Sequence, residues 1–240
     1  MVPSCKEAIR IVRTIEASFP SGPSKTGSAF LAPVSNRLIT CAHVVVNDQN
    51  QRASRVFVTG NGTTRYEANL SSVDENVDLA TLEIGEGTEP SKASMEIPEI
   101  GEQVIFAGKP VGIKRSSVFP GMISASGSGL LSTPSCDLIQ IVGMVNNGNS
   151  GGPLVNSDGK VLGVITAKYV PLLVQIDKLT QDLEKIPQFP RGVLLGRIDF
   201  SAFVNVTVQS MWQIATVLRL VQVGVGWAVP AKYLYKVGGV

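Results

Sequence analysis

Residues 147–153 form a glycine-rich segment around the one side chain in the sequence best placed for covalent chemistry, Ser150. A serine hydroxyl attacks a carbonyl efficiently only when a neighbouring base takes its proton. Gly148, Gly151 and Gly152 allow backbone conformations in which successive N–H groups converge on one point, as an oxyanion requires. The segment therefore predicts a nucleophile beside an oxyanion site, although an ordinary glycine-rich hairpin has a similar composition.

His43 is the only histidine, so any imidazole base must be this residue. It follows an apolar strand predicted at residues 37–41, at a place where a β-barrel would present it at its rim. A single histidine beside apolar residues is often a core residue with satisfied hydrogen bonds, and this alternative stays open.

Asp78 directly precedes an apolar strand predicted at residues 79–84, which would bury its carboxylate. A buried carboxylate that accepts the imidazole N–H fixes the tautomer and stabilises the imidazolium. Asp74 and Asp48 are the competing candidates, and an aspartate that caps a strand is the structural alternative.

Short apolar segments separated by glycine and proline turns predict an all-β protein, either a sandwich or barrels. The polar segment at residues 85–92 is the best candidate for a connection between two halves. The strands that we predict beyond it are residues 103–107, 121–125, 138–142, 153–156 and 161–165.

Helical spacing replaces this pattern towards the end of the chain. An amphipathic helix is predicted from the apolar residues Ile176, Leu179, Leu183 and Ile186. Residues 201–221 are ambiguous, because valines alternate as in a strand before residue 210 and apolar residues follow helical spacing after it. We predict a helix from about Ser210.

The composition excludes several classes of protein. With 44% hydrophobic and 17% charged residues the chain is not disordered, and a net charge of +2 argues against a dedicated nucleic-acid binder. Three widely spaced cysteines and one histidine match neither a structural zinc site nor a disulfide framework. Residues 1–10 lack the apolar run of a signal peptide, and polar side chains interrupt residues 201–218. We therefore expect a cytoplasmic protein without a membrane span.

Three motifs in the chain order His, Asp, Ser resemble those of trypsin-like serine proteases: TCAH ending at His43, DLA beginning at Asp78, and GNSGGP around Ser150. Residues 26–31, 100–112, 121–124 and 224–230 further resemble segments of the Deg/HtrA-type protease domain. The resemblance implies two six-stranded antiparallel β-barrels, with His43 and Asp78 in residues 1–90 and Ser150 in residues 91–240. It also implies a helical insertion at about residues 171–222, and we expect no PDZ domain in this chain.

The same resemblance implies a serine endopeptidase that acts on polypeptides through an acyl-enzyme, without a cofactor or metal. Ser150 would be the nucleophile, His43 the base and Asp78 the residue that orients it. The N–H groups of Gly148 and Ser150 would hold the oxyanion.

Substrate contacts are predicted at Met144 and Thr166. The resemblance places Met144, six positions before Ser150, at the floor of the pocket for the substrate residue before the scissile bond, P1. Its thioether favours an apolar side chain there. Asn149 stands where trypsins have an aspartate, so we predict no activation through a salt bridge to a new N-terminus.

Two alternatives remain at this point. A catalytically silent homologue would use the same cleft to bind extended peptides or to act as a scaffold. The insertion would be a lid over the cleft, a contact in a homo-oligomer, or a cover over a sheet.

Overall fold

The computed structural model describes residues 3–60, 64–85, 88–110, 113, 115–130, 136–168, 180–183, 185–186, 194–195, 198–218 and 224–237. The chain divides into two compact units. The larger consists of Met1–Lys168 and Gly224–Val240, and the smaller is Tyr169–Val223. All predicted site residues belong to the larger unit.

Six antiparallel strands close the first barrel in the order β1-β2-β3-β6-β5-β4. They are β1 (Val12–Ser18), β2 (Lys25–Leu31), β3 (Arg37–Thr40), β4 (Arg55–Thr59), β5 (Arg65–Asp74) and β6 (Leu79–Glu83). Apolar side chains from every strand fill the interior, since alternate residues of a strand point to the same face. A one-turn helix, α2 (Ala42–Val45), follows β3.

The second barrel is closed by six further antiparallel strands in the order β10-β11-β14-β9-β8-β7. They are β7 (Gln103–Gly108), β8 (Ser117–Gly127), β9 (Leu138–Gly143), β10 (Pro153–Val155), β11 (Val161–Lys168) and β14 (Val225–Pro230). A 3-10 helix, Ala231–Lys236, ends this part of the chain. The two predicted six-stranded barrels are thus confirmed, and neither has a free edge strand.

An N-terminal helix, α1 (Pro3–Ile11), precedes β1 and contacts β7, β8 and β10 of the second barrel. The helix passes directly into the strand, with the change between Ile11 and Val12. Pro3 suits the first turn of a helix, where its missing N–H has no partner to lose. Ala8 and Ile11 are buried, so α1 is anchored by one apolar face.

The smaller unit contains the strand pair β12 (Leu194–Leu195) and β13 (Ile198–Asp199), followed by α3 (Phe200–Leu218). Residues 180–183 are helical, whereas residues 176–179 of the predicted amphipathic helix lie outside the described part of the chain. The start predicted for α3, near Ser210, is wrong by ten residues. Asp199 explains the early start, because its carboxylate accepts the Ala202 N–H and caps the helix. Among helices in the described ranges, none combines the length and the apolarity needed to cross a bilayer.

A continuous apolar core fills the first barrel and extends to α1 and the 3-10 helix. Ile39 in β3 is completely buried there, three residues before the start of α2, which carries His43. Ile100, by contrast, is 71% exposed.

Replacement of Ile39 by alanine is expected to lower the free energy of unfolding by about 2–5 kcal/mol, because it removes buried methyl groups and leaves a cavity. The matched substitution Ile100→Ala removes the same groups from an exposed side chain and is expected to change stability by about 0.5 kcal/mol or less. Urea unfolding at equilibrium measures both. Similar losses in the two variants would contradict this description of the core.

Candidate active site

Strand pairing in the first barrel brings His43 and Asp78 together. In the register of β3 with β6, Thr40 lies opposite Ala80, so the residues just after β3 meet those just before β6. The backbone N–H of His43 donates to Asp78 Oδ1 at 2.9 Å. The ring atom Nδ1 lies 2.8 Å from Oδ2 and 3.0 Å from Oδ1. Asp78 has a φ of +56°, a left-handed conformation that aspartate tolerates better than most residues do.

The charge state of Asp78 determines the tautomer of the imidazole. Burial alone would raise the pKa of Asp78, but the hydrogen bond and charge of His43, with the Thr166 hydroxyl, outweigh it and lower that pKa below its ordinary value. An ionised carboxylate only accepts hydrogen bonds, so His43 Nδ1 must carry the proton. The other ring nitrogen, Nε2, is left as an acceptor. The side chain of His43 is 48% exposed, whereas that of Asp78 is 15% exposed.

Thr166 in β11 connects this pair to the second barrel. Its hydroxyl donates to Asp78 Oδ2, and its backbone carbonyl accepts the Ser150 hydroxyl with an Oγ–O distance of 3.0 Å. The sequence predicted Thr166 as a substrate contact but did not predict its bond to Asp78. A hydroxyl in an otherwise apolar strand was the available signal, since a buried polar group needs a partner.

The backbone around Ser150 forms a tight turn packed against both barrels. Gly148 and Gly151 have φ values of +94° and +85°. The Gly151 N–H donates to Ile165 O at 2.7 Å, and the Gly152 N–H donates to Asn149 O at 2.9 Å. Neither Gly151 nor Gly152 can carry a side chain. A Cβ atom would lie 2.0 Å from a backbone oxygen of β2 at Gly151 and 2.0 Å from one of β7 at Gly152.

Two N–H groups in this turn have no acceptor. Within the part of the chain that the structure describes, neither the Gly148 nor the Ser150 backbone N–H donates a hydrogen bond. These are the two groups predicted to hold an oxyanion. Both remain available for an incoming anion or a developing negative charge.

Ser28 in β2 holds this turn from the first barrel. Its buried hydroxyl donates to Gly148 O at 2.6 Å and accepts the Lys109 N–H at 3.0 Å. Its backbone N–H donates to Ser150 O at 2.8 Å. The carbonyls on both sides of Asn149 are thus fixed by one residue, to which the sequence assigned no role in the site.

The structure joins His43, Asp78, Thr166 and Ser150 in one chain of hydrogen bonds. Between described atoms, however, Ser150 Oγ is bonded to Thr166 O and makes no hydrogen bond to His43. The competing aspartates have other partners: Asp74 accepts the Asn76 N–H, and Asp48 pairs with Lys25.

Met144 directly follows β9 and is 57% exposed.

Asn149, one residue before Ser150, is completely buried. Its side-chain amide has no hydrogen-bond partner among the described protein atoms.

Comparison with known proteins gives matches over most of the two-barrel unit. The family model of the trypsin-like peptidase domain matches residues 27–164. The mouse serine protease HTRA4 is 33% identical over 172 residues, which cover 68% of this chain and 34% of that protein. A probable periplasmic DegP-like serine endoprotease of Rhizobium meliloti is 36% identical over 152 residues, covering 62% and 29%. The chain spans about a third of the length of these relatives.

Solved structures share the fold. The M. tuberculosis protease Rv3671c in its active form has a TM-score of 0.60 at 28% identity, covering 70% of this chain and 75% of that one. The HtrA-type protease AlgW with a tripeptide has a TM-score of 0.68 at 22% identity, covering 98% of this chain and 60% of that one.

Because Asp78 is ionised in the folded protein, its contribution to the free energy of unfolding depends on pH. Because the pKa of Asp78 is lower in the folded protein, its ionisation stabilises the fold above the ordinary aspartate pKa of about 3.9, and this stabilisation is lost as the pH falls through the folded value. We expect Asp78→Asn to cost about 1.5–3 kcal/mol at neutral pH, the range for hydrogen bonds to charged groups. The difference from the original protein is expected to shrink below about pH 4.

Urea unfolding of both proteins from neutral pH to about pH 3 measures this difference. A control is Asp158→Asn, which changes an exposed aspartate that has no charged partner among the described residues. A difference for Asp78→Asn that stays constant with pH would contradict the assignment.

Proposed function

The chain belongs to the family of trypsin-like peptidases, and we propose that it is a serine endopeptidase that cleaves peptide bonds through an acyl-enzyme on Ser150. The observation that carries the proposal is the oriented pair of His43 and Asp78, linked through Thr166 to Ser150. The turn at this serine also presents two N–H groups that have no acceptor among the described residues. A base, a hydroxyl and an oxyanion site are the three parts that acyl transfer by serine requires.

In the proposed reaction, His43 Nε2 takes the proton of the Ser150 hydroxyl while Oγ attacks the scissile carbonyl carbon. The N–H groups of Gly148 and Ser150 hold the resulting oxyanion, and Asp78 stabilises the imidazolium. His43 then gives its proton to the leaving amine, which departs as the acyl-enzyme forms. A water molecule, deprotonated by the same nitrogen, hydrolyses the ester and restores Ser150.

Before attack, the Ser150 hydroxyl must turn from Thr166 O towards His43. This rotation about χ1 exchanges one hydrogen bond for another, so its intrinsic cost is small. It also releases Thr166 O, which can then accept an N–H of the bound peptide. That exchange supports Thr166 as a substrate contact and links substrate binding to the release of the nucleophile.

We further propose an apolar P1 side chain. Met144 presents an exposed thioether at the position predicted for the pocket floor, where a carboxylate would be needed to pair with lysine or arginine. The cytoplasmic location and assembly through residues 171–222 remain predictions. A silent peptide-binding homologue would lack only the chemical step, so a test of covalent chemistry separates it from the enzyme.

A fluorophosphonate probe is expected to label the protein on one residue, and Ser150→Ala is expected to abolish labelling because the phosphorylated oxygen is lost. Ser157→Ala, which makes the same change in an exposed turn, is the matched control and is expected to keep full labelling. Gel fluorescence and mass spectrometry of the labelled peptide provide the measurement.

Two peptidyl phosphonates that differ only at P1 extend this experiment to specificity. Norleucine at P1 is expected to give faster labelling than lysine. Equal labelling of Ser150→Ala would overturn the proposed nucleophile, and the absence of labelling in every variant would favour the silent homologue.

Ser28→Ala is expected to lower kcat by about tenfold or more with little change in KM, because loss of one buried hydrogen bond of roughly 1–3 kcal/mol frees the carbonyl of Gly148. The hydroxyl does not face the substrate, so ground-state binding is retained. Ser54→Ala is the control, since its hydroxyl also bonds a backbone carbonyl, that of Ser18, but at an exposed site. Steady-state kinetics with a peptide substrate measure kcat and KM for both variants. A rise in KM without a fall in kcat for Ser28→Ala would argue against this positioning role.

A further inference from the structure

Cys41 lies next to the paired His43 and Asp78. The Cys41 sulfur, a ring nitrogen of His43 and a carboxylate oxygen of Asp78 all lie within 4.8 Å of one another. A thiolate, an imidazole and a carboxylate are the donors that Zn²⁺ uses in proteins. The sequence argument against zinc considered ligand spacing along the chain, whereas here the fold brings Asp78, just before β6, to Cys41 and His43, which follow β3.

We propose that Cys41 Sγ, His43 Nδ1 and an Asp78 carboxylate oxygen form an inhibitory binding site for Zn²⁺. A water molecule completes the tetrahedral coordination. The consequence for activity rests on the function proposed above, but the binding of the metal does not.

The present positions of the donor atoms need only small adjustments. Tetrahedral zinc, with bonds of about 2.0–2.3 Å, holds its donors roughly 3.3–3.6 Å apart. The contact of Nδ1 with Oδ2, now 2.8 Å, must widen slightly, and the sulfur must approach by about an ångström. Cys41 gives up a hydrogen bond to Ile165 O at 3.2 Å, which its thiolate no longer needs.

Surrounding hydrogen bonds would hold the carboxylate in place for the metal. Asp78 Oδ1 accepts the backbone N–H of His43, and the Thr166 hydroxyl donates to Oδ2. Neither bond involves the ring of His43, so both can persist when Nδ1 changes partner. Hydrogen bonds of this kind to a ligating carboxylate orient it and raise metal affinity.

An entry path leads from solvent to the pair. A cavity of about 200 Å³ is lined by both His43 and Asp78 and by the acidic residues Asp48 and Glu75. Lys25, which pairs with Asp48, also lines this cavity, so Asp78 and Glu75 are the carboxylates that favour the approach of a cation. Cys41 itself is completely buried and does not line the cavity, so zinc would reach the sulfur by way of His43 and Asp78.

Metal binding at Nδ1 would remove the base. A neutral imidazole that binds zinc through Nδ1 carries its proton on Nε2, so the nitrogen that must accept the Ser150 proton is blocked. The former Nδ1 proton passes through solvent to Nε2, and the Cys41 thiol proton is released as the Zn–S bond forms. No electron is transferred, and chelation reverses the change.

Direct binding is tested with Co²⁺ added to the Ser150→Ala protein, a readout that needs no activity. The near-ultraviolet absorption of a thiolate-to-cobalt transition is expected, and it is expected to disappear when Cys41→Ser is added. Cys136→Ala on the same background is the control, because it removes a partly buried cysteine that is not in this cluster. Binding without the thiolate band would overturn the site.

Inhibition is tested by titrating Zn²⁺ into the original protein, Cys41→Ser, Cys41→Ala and Cys136→Ala, with peptide hydrolysis and fluorophosphonate labelling as readouts. The original protein and Cys136→Ala are expected to be inhibited at micromolar zinc and to recover with EDTA. The Cys41 variants are expected to need at least about tenfold more zinc for half-maximal inhibition, measured against the zinc-free activity of each variant. Equal sensitivity of all four would overturn the proposal. If none of the four proteins hydrolyses peptides, the proposed function fails, and the cobalt experiment alone decides whether the metal site exists.

Discussion

The Asp78 carboxylate is the interaction on which the arrangement of the site depends. It accepts hydrogen bonds from the backbone and ring of His43 in the first barrel and from the Thr166 hydroxyl in the second. Burial opposes its charge, and these partners offset that cost, so the carboxylate stays ionised. Its charge fixes the proton on Nδ1, and the free nitrogen of His43 is a consequence of that placement. One buried anion therefore sets both the position and the chemical state of the base.

The close approach of the two barrels imposes the second constraint, on the backbone around Ser150. Ser28 reaches across to the carbonyls of Gly148 and Ser150, and Gly151 leaves no room for a side chain against β2. These contacts fix the orientation of the peptide units, and within the described part of the chain the N–H groups of Gly148 and Ser150 have no acceptor. The geometry of the proposed oxyanion site thus depends on contact between the barrels as well as on the glycine-rich loop.

The sequence predicted the parts of this site that have their own local signature. The sole histidine, the aspartate before an apolar strand and the glycine-rich serine segment could each be identified from neighbouring residues, and short apolar segments with turns indicated the strands. The contacts of Thr166, Ser28 and Cys41 could not be predicted, because their partners are distant in the chain and depend on strand register. The early start of α3 was missed for a different reason: alternating valines suggested a strand, and one capping bond from Asp199 outweighed their weak helix propensity.

The two ring nitrogens of His43 differ in what can compete for them. Nε2 must stay open to exchange protons, and the 48% exposure of the side chain is consistent with that requirement. Nδ1 must stay bonded to Asp78, yet Cys41 provides a sulfur within 4.8 Å of this pair. While the thiol keeps its proton and bonds Ile165 O, it is only a small apolar group in the core. In the proposed metal site, a cation such as Zn²⁺ would change the thiol into a ligand and use the same carboxylate that orients His43, so one anion would serve both the proposed catalysis and its proposed inhibition.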